Sequence, residues 1–292
     1  MGFSYSGFAG ARSAIDERGA FSANIGDNMQ SLAVRHLYRT LGIPDERILR
    51  VDRDTLATYD GPPVVLPMNG CFYDWHFPLS PKITPLFIGF QARQAAMSAV
   101  RSHLFGQGVI GCRDEHTAIL LRAEGIEADV TGCLTFSLPQ RSVTPKHRRI
   151  LIVHGSGSGA LPGVALKKMP RHLLMRADFI SQRREVVTWP LSPDQMDEQE
   201  KVAQALLHDY HQTARMVVTP LHHVAAPCMA AGIPVIVIRR DWDERFSFMG
   251  KLIPIHLEPF FEDVDWSPKP IDLTQIKAAQ LARLRSLLTP WL

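Results

Sequence analysis

The chain has 292 residues, of which 46% are hydrophobic and 21% charged. That is the composition of a globular protein with apolar material for two cores, each of roughly 120–150 residues. The net charge is +3, and 32 Lys and Arg are interspersed with 29 Asp and Glu. This balance argues against nucleic-acid binding, which needs a clustered basic face, and suits an anionic small molecule or an acidic polymer.

The cysteines are Cys71, Cys112, Cys133 and Cys228, with no CxxC pair and no Cys/His pair at zinc spacing. Reduced, buried thiols are expected. MGFSYSGFAGARSA has no basic region followed by an apolar stretch, so the sequence reads as cytoplasmic. No apolar run approaches the ~18 residues that span a bilayer. Peripheral association with the inner membrane face stays open.

In chain order, helix-like stretches are expected at Asn28–Leu41, Ala92–Phe105 and Glu115–Ala123. Between and around them, ILRVD, PPVVLP, PLFIGF, GVIGC and IEADVT read as strands. Strands alternating with helices predict parallel βαβ units. RSVTPKHRR (141–149) reads as a linker. A second unit follows, with strands RILIVH, VVTWP (186–190), MVVTP and IPVIVI. Its helices are expected at about Ser192–Gln212, after MVVTP, and near Leu273–Leu288. The expected fold class is α/β, with two Rossmann-like doubly wound domains facing a cleft in a GT-B-like arrangement. The boundaries are 1–145 and 146–292, with the final helix packing back on the first domain. Ligands of such sheets bind at strand-to-helix turns.

Five segments occupy such turns. In FSANIGDNMQ, Asp27 precedes a helix in N-cap position and Gly26 makes the turn. A cap worth ~1 kcal/mol accounts for Asp27. Alternatively, the turn faces a sugar or phosphate and Asp27 accepts a hydroxyl proton. In VIGCRDEHTAILL, Asp114 and Glu115 suit a helix start. Arg113 either forks onto a carboxylate or phosphate or pairs with Asp114. HGSGSGALPG (154–163) has alternating glycines but neither dinucleotide nor P-loop spacing, and reads more readily as a flexible connection.

The fourth segment is TPLHHVAAPCMAAGIPVIV (219–237). Pro220 suits helix entry, small residues allow close packing on a sheet, and Gly232 with Pro234 ends the helix. His222 and His223 fall at the helix N-terminus. Adjacent residues point about 100° apart, which argues against their sharing one metal. No metal is expected. The fifth, RRDWDERFSFMGKL (239–252), reads as a solvated charged face or as the rim of the same cleft. It offers Arg240 and Arg245 as cations, with Trp242 and Phe246 as stacking surfaces.

Together these segments resemble the polysaccharide pyruvyl transferase family. NIGDNMQ is similar to its N-x-GD signature, and IGCRDEHTAILLRAEGIEA to its RD segment. The histidine stretch is similar to its R-L-H, small helix, G-x-P pattern, which puts the family histidine on His223. Two stretches depart. The family arginine falls on Leu221 and its leucine on His222. The Asp-Pro that often follows the RD segment is replaced by Gly132-Cys133-Leu134.

The resemblance implies transfer of pyruvate from phosphoenolpyruvate to sugar hydroxyls as a ketal, in cell-surface glycan biosynthesis. No cofactor beyond that donor is implied. His223 and Asp27 would be catalytic. Arg113, Arg245, Arg240 and His222 would face the donor, and Asn24 and Asn69 the acceptor. The acceptor would be a glycan or lipid-linked oligosaccharide. Two alternatives stand beside this reading: a GT-B-like glycosyltransferase using a nucleotide sugar, and a non-catalytic glycan-binding relative.

Overall fold

The computed structural model describes residues 2–5, 20–143, 145, 149–155, 159–188 and 191–292. It is a mixed α/β protein built on parallel sheets.

In the first half, β1 (Gly2–Tyr5) pairs in parallel with β3 (Leu49–Asp52). β4 (Val64–Pro67) runs beside β1 and pairs with β6 (Ile83–Leu86). After short breaks the same two segments resume as β5 (Gly70–Phe72) and β7 (Phe90–Ala92), again paired. The segment PLFIGF is therefore split between two strands. β8 (Ile110–Cys112) and β9 (Ala128–Val130) complete this set, all parallel.

The second half holds a five-stranded parallel sheet. Its strands are β10 (Arg149–His154), β11 (Ala177–Ser181), β13 (Ala214–Thr219), β14 (Val235–Arg239) and β15 (Ile255–Leu257). The spatial order is β11-β10-β13-β14-β15. The order reverses between β10 and β13, which makes their carboxyl ends the switch point of the sheet. Both faces are covered. Ile150, Ile152, Val218 and Ile238 enter one core, while Leu151, Val153, Val217 and Val237 enter another. Near-continuous β-branched runs are what a sheet buried on two faces requires.

One expected strand behaves differently. The segment containing Val186–Thr188 belongs to β12 (Arg183–Thr188), which pairs antiparallel with β2 (Ala20–Asn24). Only Gln182 separates β11 from β12. A parallel neighbour needs a crossover of a dozen or more residues, so β12 has to leave the sheet. Trp189 and Pro190 of that segment lie outside the described residues, as do 144 and 146–148 of the expected linker.

The helices α1 (Ile25–Thr40), α3 (Glu115–Ala123), α6 (Pro193–Thr213) and α7 (His222–Ala230) frame the site, while α2 (Met97–Leu104), α4 (Gly163–Lys168) and α5 (Arg171–Leu174) lie between them in the chain. Helix α1 packs on α6 and α7. One apolar core runs through both halves, joining Val34 and Leu37 to Phe136, Val217, Val224 and Leu284. The last long helix, Thr274–Leu288, contributes Gln280, whose Nε2 donates to Thr131 O at 2.9 Å and Cys133 O at 3.1 Å.

Candidate functional site

Helix α7 starts at the carboxyl end of β13, and its first turn carries both histidines. Leu221 is the N-cap, and its backbone N–H donates to Thr219 Oγ1 at 3.0 Å. Arg239 fixes the entry, with Nη1 donating to Pro220 O at 2.7 Å. Pro227 sits inside the helix and has no N–H for the His223 carbonyl four residues earlier. Gln182 Nε2 reaches that carbonyl instead, at 3.5 Å. The helix ends in a Schellman motif: Ile233 N donates to Cys228 O at 2.9 Å and Gly232 N to Met229 O at 3.0 Å.

The centre of the site is the His223 ring. Its Nε2 lies 3.2 Å from Arg113 Nη2 and 3.4 Å from Gln30 Nε2. A guanidinium only donates, so Nε2 is the acceptor and the neutral ring carries its proton on Nδ1. Burial, then the charges of Arg113, Arg245 and Arg53, hold His223 well below the usual histidine range. His223 is therefore a neutral imidazole with its lone pair toward Arg113. His222 is neutral for the same reasons, burial first and Arg113 next. Its ring meets Phe136 and Phe246 edge-on, at centroid distances of 6.0 and 5.4 Å.

Arg113 follows β8 and is almost fully buried, at 1% exposure. Its guanidinium contacts His223, a partner that neither sequence reading named. Asp114 caps α3 instead, accepting from Thr117 N at 2.8 Å. Asp27 is not an N-cap: α1 begins at Ile25, three residues earlier than a cap at Asp27 would allow. The Asp27 carboxylate lies 3.7 Å from Arg53 Nη2, with both side chains buried. Burial pushes its carboxyl up despite the opposing charges of Arg53, Arg113 and Arg245.

Arg245 adds its charge to this cluster while braced by Asp243, at 2.8 and 3.0 Å from Nε. Burial would raise the Asp243 carboxyl, but the hydrogen bonds and charge of Arg245 hold it down to about 2. Asn69 is buried, and its Oδ1 accepts from Leu134 N at 3.0 Å. With Asp27, Gln30, Ser31 and Arg53 it lines a narrow internal cavity. Asn24 ends β2 and pairs through the backbone with Arg183. Arg240 is exposed at the end of β14. Phe246 is fully buried under Arg239, 4.5 Å from its guanidinium carbon, and offers no face to a sugar. Trp242 is exposed at 46%.

Sequence reasoning missed Arg53 and Gln30. Arg53 follows β3 as Arg113 follows β8, so a charged residue directly after a parallel strand was the available signal. Gln30 lies one turn beyond Asp27 on α1. It packs beside Gly70, where a Cβ would stand 3.0 Å from Gln30 Oε1 and φ is +154°.

The glycine loop after β10 closes on itself through Gly155 N and Gly159 O at 2.8 Å. A Cβ on Gly159 would stand 2.8 Å from Leu221 Cδ2, and one on Gly155 3.3 Å. Leu221 thus packs into the loop at the switch point. Ser156–Ser158 lie outside the described residues.

Cys133 and both histidines meet here as well. Each offers one ligand atom, and these lie within 4.8 Å of one another. The rings of His222 and His223 converge to 5.1 Å between centroids, despite their offset along the helix. By donor type the set fits a borderline or soft ion.

The chain is thus an α/β protein of parallel sheets with a buried, arginine-rich site around a neutral histidine. Comparison with protein-family models, curated proteins and solved structures gave no match.

Proposed function

We propose that this chain is a polysaccharide pyruvyl transferase that carries pyruvate from phosphoenolpyruvate to two hydroxyls of a glycan or lipid-linked sugar. The observation that carries the reading is the pair formed by the neutral His223 ring and the buried Arg113, 3.2 Å apart. It joins two of the segments that carry the resemblance. Residues 1–145 serve the acceptor and 146–292 the donor, as GT-B-like Rossmann domains in the cytoplasm.

In this reading Arg113, reaching across from the acceptor half, and Arg245 hold the donor carboxylate and phosphate, with Arg53 adding charge from the turn after β3. The first sugar hydroxyl adds to C2 of the enol while C3 takes a proton. The second hydroxyl then displaces phosphate, so two C–O bonds form to the sugar and one breaks to phosphate. His223 accepts a hydroxyl proton at Nε2, the task a neutral imidazole performs. As the anionic donor offsets the arginine charge, the ring gains the basicity to take that proton, and the imidazolium so formed delivers it to C3. Asp27 orients or deprotonates the acceptor.

The nucleotide-sugar alternative needs a diphosphate cradle at the switch point. Leu221 packed against Gly155 and Gly159 counts against it.

Thermal-shift titration separates the readings. Phosphoenolpyruvate is expected to raise Tm by mass action, and UDP-, GDP- and CMP-sugars are not. Stabilisation by a nucleotide sugar alone overturns the pyruvyl reading. His223→Ala is expected to lower turnover by roughly 10²–10⁴-fold, the usual worth of a general base. Full turnover in that variant removes His223 from the chemistry.

A further inference from the structure

We infer that Cys133, His222 and His223 form a site for a zinc-class divalent ion that leaves one coordination position open toward the arginine cluster. Three observations converge. One ligand atom from each residue lies within 4.8 Å of the others. Zinc bonds of about 2.0–2.3 Å at tetrahedral angles place ligands about 3.3–3.7 Å apart, so closure needs a contraction of about an ångström. All three side chains are buried: Cys133 is 0% exposed, His222 5% and His223 9%. Both Nδ1 atoms lack a hydrogen-bond partner among the described residues. A buried imidazole nitrogen left without a partner carries a desolvation cost that a metal bond removes.

The sequence adds a fourth point. Cys133 and His222 stand at the positions where the chain departs from the pyruvyl transferase pattern, and the fold brings those departures together. Leu221 beside them marks where that pattern has an arginine. A dication bound by one thiolate carries a net charge of +1, the charge of that arginine.

Loading is proton-balanced. The Cys133 thiol loses its proton to solvent as Sγ binds the ion. His222 and His223 stay neutral and bind through Nδ1. In the structure Arg113 Nη2 donates to His223 Nε2. Binding through Nδ1 therefore moves the ring proton to Nε2, so in the metal-loaded state Asp27 takes the hydroxyl proton that Nε2 accepts in the metal-free site. The Gln30 carboxamide, turned so that Oε1 faces the ring, accepts from the Nε2–H. Arg113 is released toward the open position, where a carboxylate or phosphate completes the coordination. The metal site stands on its own geometry, and only its role as an anion clamp rests on the pyruvyl-transfer reading.

Cobalt(II) titration of the full chain tests the site. One equivalent is expected to give thiolate-to-cobalt charge-transfer absorption and tetrahedral d–d bands. Cys133→Ser is expected to abolish the charge-transfer band and Cys228→Ser to keep it. His222→Leu, a change to an apolar side chain, is expected to keep the band but weaken binding at least tenfold. No charge-transfer band at saturating cobalt in folded protein overturns the site, as does a band that survives Cys133→Ser. The clamp role is read separately, from the phosphoenolpyruvate thermal shift with zinc and with a chelator. A larger shift with zinc supports the clamp. An equal shift in both removes the clamp but leaves the donor reading, and cobalt binding without any shift leaves only the metal site.

Discussion

At the residue scale, the site runs on burial. Arg113 holds the His223 lone pair and fixes its tautomer, a task that depends on a planar fork of donors. Arg113→Lys is expected to weaken donor binding by about 10–100-fold, seen as a rise in KM for phosphoenolpyruvate or a loss of its thermal shift. Asp52 offers a test on stability. Burial, helped by the neighbouring Asp54 charge, pushes its carboxyl up to about 7. The native state therefore keeps a proton that the unfolded state, at the ordinary aspartate value of 3.8, has lost. Its contribution is full below the unfolded value and disappears as pH rises through about 7. Asp52→Asn keeps an acceptor for Asp54 N and is expected to flatten that decline. Relative to wild type it gains roughly 2–4 kcal/mol between pH 5 and pH 8, measured by urea unfolding. The buried neutral histidines act in the opposite sense: stability falls as pH drops through their unfolded value of 6.5.

At the element scale, helix ends decided how much could be read. Helix α3 is found at Glu115–Ala123, as expected, because Asp114 caps it and its apolar residues recur at helical spacing. Helix α1 begins three residues before the expected start at Asn28. Its first turns bury Gly26, Asp27, Asn28, Gln30 and Ser31, and a polar face that is buried for a site looks like a loop in sequence. Helix α7 ends where Gly232 and Pro234 said it would. Gly232 has φ +72°, and an added Cβ meets only the flexible Gln140 side chain, nearest at 3.3 Å. Gly232→Ala is expected to cost about 1 kcal/mol through backbone strain, lowering Tm by roughly 2–4 °C in a calorimetric scan.

At the scale of the whole molecule, both halves contribute to one core and one site. Arg35 of α1 and Arg50 of β3 both pair with Glu200 of α6. Gln280 ties the last helix to the turn holding Cys133. Gln280→Leu leaves two carbonyls without this donor and is expected to cost about 1–3 kcal/mol in urea unfolding. That loss is also expected to loosen the turn that positions Cys133, read as faster labelling by a thiol reagent.

The sequence by itself determined the alternation of strands and helices, the parallel sheets, and the turns that carry Arg113 and His223. These follow from apolar periodicity, caps and breakers, which act over a few residues. Only the tertiary structure decided that Arg113 meets His223 across 110 positions of chain. It alone brought in Arg53 and Gln30, buried Phe246, left Arg240 outside, and gathered Cys133 with two adjacent histidines. Charge coupling and coordination fall off with distance in space, and the order of residues along the chain does not encode that distance.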